Sequence, residues 1–164
     1  MRGAALSAAQ ASRFMRSLPG IIVSLWLGAM TFFAFLVAPA AFATLEREAA
    51  GRFVSVVFPR YYLVGTVLGV LALGCRIARA TLDGWQGADW LSLGLVLLML
   101  ALTLYAWAIV LPAAHAAREV MRAAGAGSIE ALRFAQLHRL SALLNGVVMI
   151  AAIIFLVIEG TSRP

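Results

Sequence analysis

The sequence has no lysine, one cysteine and seven acidic residues among its 164 positions. The lone Cys75 excludes an internal disulfide and every cysteine-rich metal site. Its place near the end of an apolar run predicts a buried, inert thiol. All 13 basic residues are arginines, a usage that points to a GC-rich bacterial genome and so to a bacterial inner membrane. Charged residues make up 12% of the chain and hydrophobic ones 63%, with a mean hydropathy of +0.97, which excludes an ordinary soluble domain. No nucleophile elbow, phosphate loop, zinc helix or paired-acid motif occurs, so no enzymatic activity and no resident cofactor are expected.

What the chain has is apolar length. A helix needs about 20 apolar residues to cross about 30 Å of hydrocarbon. Four stretches meet that requirement, 18–43, 61–80, 90–111 and 141–158. Lipid offers a backbone no hydrogen-bond partner, so runs of this length must be helices, and barrel strands would be shorter and alternating. The expected fold is all-α, a polytopic four-helix membrane bundle forming a single transmembrane domain over residues 1–164.

The net charge of +6 would suggest nucleic acid in a soluble protein. Here the arginines flank the spans, where side chains anchor helices to lipid headgroups, so membrane lipids and not nucleic acid are the expected partners. With both termini on one side, that side carries Arg2, Arg13, Arg16, Arg76, Arg79 and Arg163. The other side carries Arg47, Arg52, Arg60, Arg118, Arg122, Arg133 and Arg139. So even a division sets no orientation by the positive-inside rule. The first apolar run exceeds the 7 to 15 residues or so of a signal-peptide core, so cleavage is not expected.

Ser17 is expected to cap the first helix, with Pro19 in its first turn. That helix should bend at Pro39 and continue to a break at Gly51, and the second helix should follow Phe58-Pro59. Gly65 and Gly69 form a GxxxG pair that suits close packing within the chain. The third helix should run past Pro112 to about Ala124, with a Gly125-Ala126-Gly127 turn before Ser128 caps the fourth.

Two parts of the chain resemble each other. Phe35-Leu-Val-Ala-Pro39-Ala-Ala-Phe42 aligns with Ala108-Ile-Val-Leu-Pro112-Ala-Ala-His115 at an offset of 73. Arg52-Phe53 precedes Gly65 as Arg133-Phe134 precedes Gly146. The pattern predicts two tandem helical hairpins, halves 18–80 and 90–158, related by a pseudo-twofold axis along the membrane normal. Pro39, Phe42, Phe58, Pro59, His115 and His138 would then gather on the side opposite the termini.

Trp26-Leu-Gly28 with Phe32-Phe33, then Ala38-Pro39, Phe42, Ala50-Gly51 and Phe58-Pro59 with Tyr61-Tyr62, resembles the transmembrane-protein-205-like domain family. Phe134-Ala-Gln-Leu-His138-Arg-Leu-Ser141-Ala-Leu-Leu-Asn145 resembles it in the second half. The likeness covers about residues 20–158 and implies a four-span membrane protein, with no reaction or ligand attached. His115 lies outside these motifs.

His138, Ser141 and Asn145 fall at i, i+3 and i+7, which places them on one helix face. Polar groups inside a membrane need partners, so this stripe is expected to tie the fourth helix to its neighbours or to touch a ligand. Together with Trp26, Gly28, Pro39, Phe58 and Pro59 these are the candidate functional or packing positions. Glu46, Glu48 and Glu119 are expected to pair with Arg47, Arg52, Arg118 or Arg122 in a solvated collar. No carboxylate falls mid-span, which argues against an ion-coupled pump. The expected function is a non-enzymatic module that associates with lipid, a small solute, a second copy or another membrane protein. One alternative is haem or a metal such as copper held by His138, with or without His115. Another is a small-solute path between the hairpins.

Overall fold

The structure, a computed structural model, describes residues 2–125 and 127–161, with side chains from residue 14 onward. The side chains of Arg2, Arg13 and Arg163, three of the arginines weighed for orientation, and all of Ala126 lie outside the described residues. Every element is helical: α1 (Arg2–Phe32), a π turn (Phe33–Val37), α2 (Ala38–Thr44), α3 (Arg47–Asp83), α4 (Gly87–Tyr105), a second π turn (Ala106–Val110), α5 (Leu111–Ala124) and α6 (Ile129–Thr161). Four continuous rods result, and each is long and apolar enough to cross a membrane. The protein is an all-α, four-helix integral membrane protein.

Two proline-linked π turns shape the first and third rods. The nitrogens of Pro39 and Pro112 have no hydrogen to donate, and their rings crowd the preceding turn. In each rod the ladder widens just before the proline: the Ala38 N–H reaches back five residues to the Phe33 carbonyl, and the Leu111 N–H reaches the Ala106 carbonyl. Such a widened turn re-aims the helix beyond it. The two turns keep the 73-residue offset of the aligned sequence segments.

Several helix limits differ from expectation. Pro19 is buried inside α1, not in its first turn, because the alanine-rich segment before it favours helix. The break between the first two rods falls at Leu45-Glu46, where both residues leave helical geometry. Gly51 and Pro59 therefore lie within α3, which has 37 residues and spans about 55 Å, well beyond the hydrocarbon core. Ser128 precedes α6, but its buried hydroxyl has no partner and makes no capping bond. Cys75 is half-buried and not fully enclosed.

Four rods close into a ring at the end that holds the termini. There α1 packs on α3, α3 on α4, α4 on α6 and α6 on α1. Val23, Trp26, Met30, Val96, Met99, Val148 and Phe155 fill the centre. Gly65 and Gly69 admit the Trp26 ring, since a side chain on either would meet it, so the GxxxG pair serves packing within the chain.

An ionic clasp seals that end. Arg76, 2% exposed, pairs with Asp89 and lies 3.8 Å from Glu159. Arg79 donates to Glu159 at 2.5 Å, and Arg16 reaches Asp83 at 3.3 Å. Arg76 was expected to face lipid headgroups. The structure instead turns it inward, because the buried Glu159 and the half-buried Asp89 offer counter-charges that a spanning helix otherwise lacks. All four rods contribute to the clasp.

The opposite end is splayed. Beyond the π turns α2 stays on α3 and α5 stays on α6, while α2 no longer packs closely on α6, nor α5 on α3.

Candidate functional site

The splayed end holds a half-open cavity of about 580 Å³, within the size range of small-molecule sites. Its apolar wall includes Phe42 of α2, Val54 and Phe58 of α3, Leu111, Ala114 and Met121 of α5, and Phe134 and Leu137 of α6. Its polar wall is mostly basic: His115, Arg118 and Arg122 from α5, His138 and Ser141 from α6, with Arg47, Glu48 and Ser55 from the first hairpin. The spacing of α5 explains its contribution. Leu111, Ala114, His115, Arg118, Met121 and Arg122 recur at helical intervals and so share one face.

Arg118 bridges the gap between the hairpins. It is 9% exposed, and its guanidinium donates to the Gly51 carbonyl and the Ser55 hydroxyl of α3. Ser55 in turn donates to the same Gly51 carbonyl at 2.8 Å. Gly51 is needed for this approach, since a Cβ there would overlap the guanidinium. No carboxylate stands within ion-pair distance of Arg118 among the described residues.

The neighbouring charges are already matched. Glu48 takes Arg52 at 2.6 Å and Glu119 takes Arg122 at 2.7 Å. Of the expected collar these two pairs form, whereas among the described residues Arg47 and Arg118 join no ion pair. Arg118 was expected to be solvated. Its burial follows from the length of α5, which carries it back against α3 instead of releasing it to water.

Aromatic rings and a hydrogen-bonded layer form the floor. Phe58 stacks on Tyr62 at 5.9 Å and lies 5.4 Å from Phe33, and Tyr61 and Tyr62 meet edge to face at 5.3 Å. Tyr62 and Ser141 share a hydrogen bond of 2.9 Å, and Tyr61 donates to the Asn145 side-chain oxygen. Two members of the predicted polar stripe thus tie α6 to α3. The third, His138, stacks on Phe134 at 6.2 Å and borders the cavity.

The other predicted positions separate. Trp26 belongs to the closed-end core, Gly28 has no neighbour near the position of a side chain, and Pro39 is exposed beside its π turn. Pro59 is half-buried in α3 next to Phe58. His115 and His138 do meet the same cavity, and the buried Nε2 of His115 has no hydrogen-bond partner. No group of three His, Cys, Asp or Glu side chains suited to a metal ion occurs among the described residues. Sequence reasoning missed Gly51, Ser55 and Arg118 as a unit. The available signal was the shared face of His115, Arg118 and Arg122 on a helix expected to reach Ala124.

Comparison with known proteins adds a family but no activity. An uncharacterized protein of Aquifex aeolicus (strain VF5) is 40% identical over 81 residues, which are 49% of this chain and 56% of that protein. The chain thus spans about half the length of this curated relative. No solved structure matches. The family described as a domain of unknown function, DUF4149, matches residues 21–123, which include α3, α4 and the α5 wall of the cavity, and the chain belongs to that family.

Proposed function

We propose that this chain is a non-enzymatic binding module of the bacterial inner membrane that receives a lipid or small solute in the cavity at its splayed end. The observation that carries the reading is the 580 Å³ space between two hairpins that part company beyond their π turns. A cavity of this size with apolar walls and a few convergent polar groups has the character of a ligand site. The all-arginine usage supports the bacterial membrane, and the likeness to the transmembrane-protein-205-like family supports a four-span module. The matched offset of the π turns supports duplication of a helical hairpin as the origin of the two halves. A solute path right through the bundle is the weaker reading, because the clasp and the Val96, Met99 and Phe155 layer lie beneath the cavity floor.

A second reading, haem or metal binding, is favoured by the placement of His115 and His138 on one cavity. One preparation tests both. Native mass spectrometry of protein purified in a neutral detergent should show a retained lipid or small molecule, and an Ala114→Trp variant that fills the cavity should lose it. A Soret band or stoichiometric metal that vanishes in His138→Ala would overturn the first reading in favour of the second.

A further inference from the structure

Resting on the binding role above, we propose that the occupant is an anionic amphiphile: an alkyl chain lies along the apolar wall and a phosphate or carboxylate headgroup meets Arg118 and His115. Charge matching carries the inference. Around the cavity, Glu48 and Arg122 are each engaged by an oppositely charged neighbour, so Arg118 is the buried charge that remains unmatched. Among the described residues its hydrogen bonds go to one carbonyl and one hydroxyl oxygen. Glu119 and Glu48 lie close enough to be felt, but each is in contact with its own arginine, Arg122 and Arg52, so the buried guanidinium makes its hydrogen bonds to neutral acceptors and has no contact counter-charge among the described residues. Such a group attracts an anion, since its fork suits phosphate and carboxylate oxygens.

His115 supplies an independent observation. It lies one helical turn before Arg118 on the same face of α5, and its Nε2 is buried with no partner. An enclosed ring nitrogen without a hydrogen bond is costly, and a headgroup oxygen would relieve it. The apolar wall beside these groups excludes a simple hydrated anion as the best fit and favours a ligand with hydrocarbon attached.

The seams between the hairpins show how such a molecule reaches the site. Arg118 ties α5 to α3 across one seam. Across the other, between α2 and α6, no hydrogen bond, ion pair or ring contact is formed among the described residues. A lipid in the surrounding leaflet can slide its chain through that seam past Phe42, while its headgroup stays at the level of the arginines.

The test uses full-length protein in a neutral maltoside detergent, titrated with dodecyl phosphate, dodecanoate, dodecanol, dodecyltrimethylammonium and inorganic phosphate, with binding read by native mass spectrometry and thermal shift. The two anionic amphiphiles should bind at least about ten-fold more tightly than dodecanol or the ammonium compound. Arg118→Gln should abolish that preference, so that within the variant the anions bind no more tightly than dodecanol. Should Arg118→Gln fail to fold, His115→Leu takes its place, with a several-fold loss expected for the anions alone. Equal binding of all four amphiphiles, blocked by Ala114→Trp, overturns the anionic assignment and leaves the binding role standing. Binding of inorganic phosphate as tight as that of dodecyl phosphate overturns the amphiphile. Failure of every amphiphile to bind overturns both this inference and the role on which it rests.

Discussion

Glu159 sits between two guanidiniums at the closed end, whereas Glu48 at the open end meets Arg52 with both side chains largely exposed. Burial decides what each carboxylate contributes. Removing one partner of a buried pair strands the other charge and costs about 3–5 kcal/mol, while an exposed pair is worth less than about 1 kcal/mol. Glu159→Gln should therefore lower the unfolding temperature in detergent by many degrees, and Arg52→Gln should leave it nearly unchanged. Comparable shifts for the two variants would contradict the clasp. The same contrast explains why the clasp was hidden in the sequence. Glu159 and Arg76 stand 83 positions apart, and nothing in either local pattern says that they meet. Arg118 was obscured differently: its helix was expected to reach Ala124, but its own spacing does not say that it meets Gly51 and Ser55, more than 60 positions away.

At the level of elements, α6 is tied to α3 by two side-chain pairs along one face, Tyr61 with Asn145 and Tyr62 with Ser141. This much was legible in the i, i+3, i+7 spacing of the fourth helix, although the tyrosine partners were not, since spacing names a face and not its neighbour. Interhelical polar contacts in membranes contribute about 0.6 to 2 kcal/mol. A double-mutant cycle of Tyr61→Phe with Asn145→Leu should give a coupling in that range, measured by reversible unfolding in mixed micelles. A cycle of Tyr61→Phe with Ser92→Ala, whose hydroxyl is buried in the closed end without a partner, should give none. The π turns were foreshadowed by Pro39 and Pro112, which predict a bend but not that the ladder widens instead of breaking. The end of the first rod was misplaced because Gly51 suggests a stop. Its role instead is to admit a guanidinium.

For the whole molecule, composition alone revealed four membrane-crossing rods, and proline and histidine placement pointed to the side where the cavity lies. The depth and one-sidedness of the cavity required the packing. A cysteine at Ala114 in a Cys75→Ser background should react with a membrane-impermeant maleimide added on the side away from the termini and stay unlabelled from the other. A cysteine at Val96, enclosed in the core, should resist labelling from both. Labelling of Ala114→Cys from the terminal side would show that the floor leaks.

The ionic clasp also governs how the molecule can move. One end of every rod is held by paired charges, and among the described residues the side-chain hydrogen bonds that cross between the hairpins farther along are Tyr61 with Asn145, Tyr62 with Ser141, and Arg118 with Gly51 and Ser55, so the hairpins resemble the arms of a pair of tongs pivoting at the clasp and latched near their tips by Arg118. Displacement grows with distance from the pivot, so a slight change of tilt at Arg76 becomes a wider gap at Arg118. A ligand that draws Arg118 away from Gly51 releases the arms where they have the greatest reach.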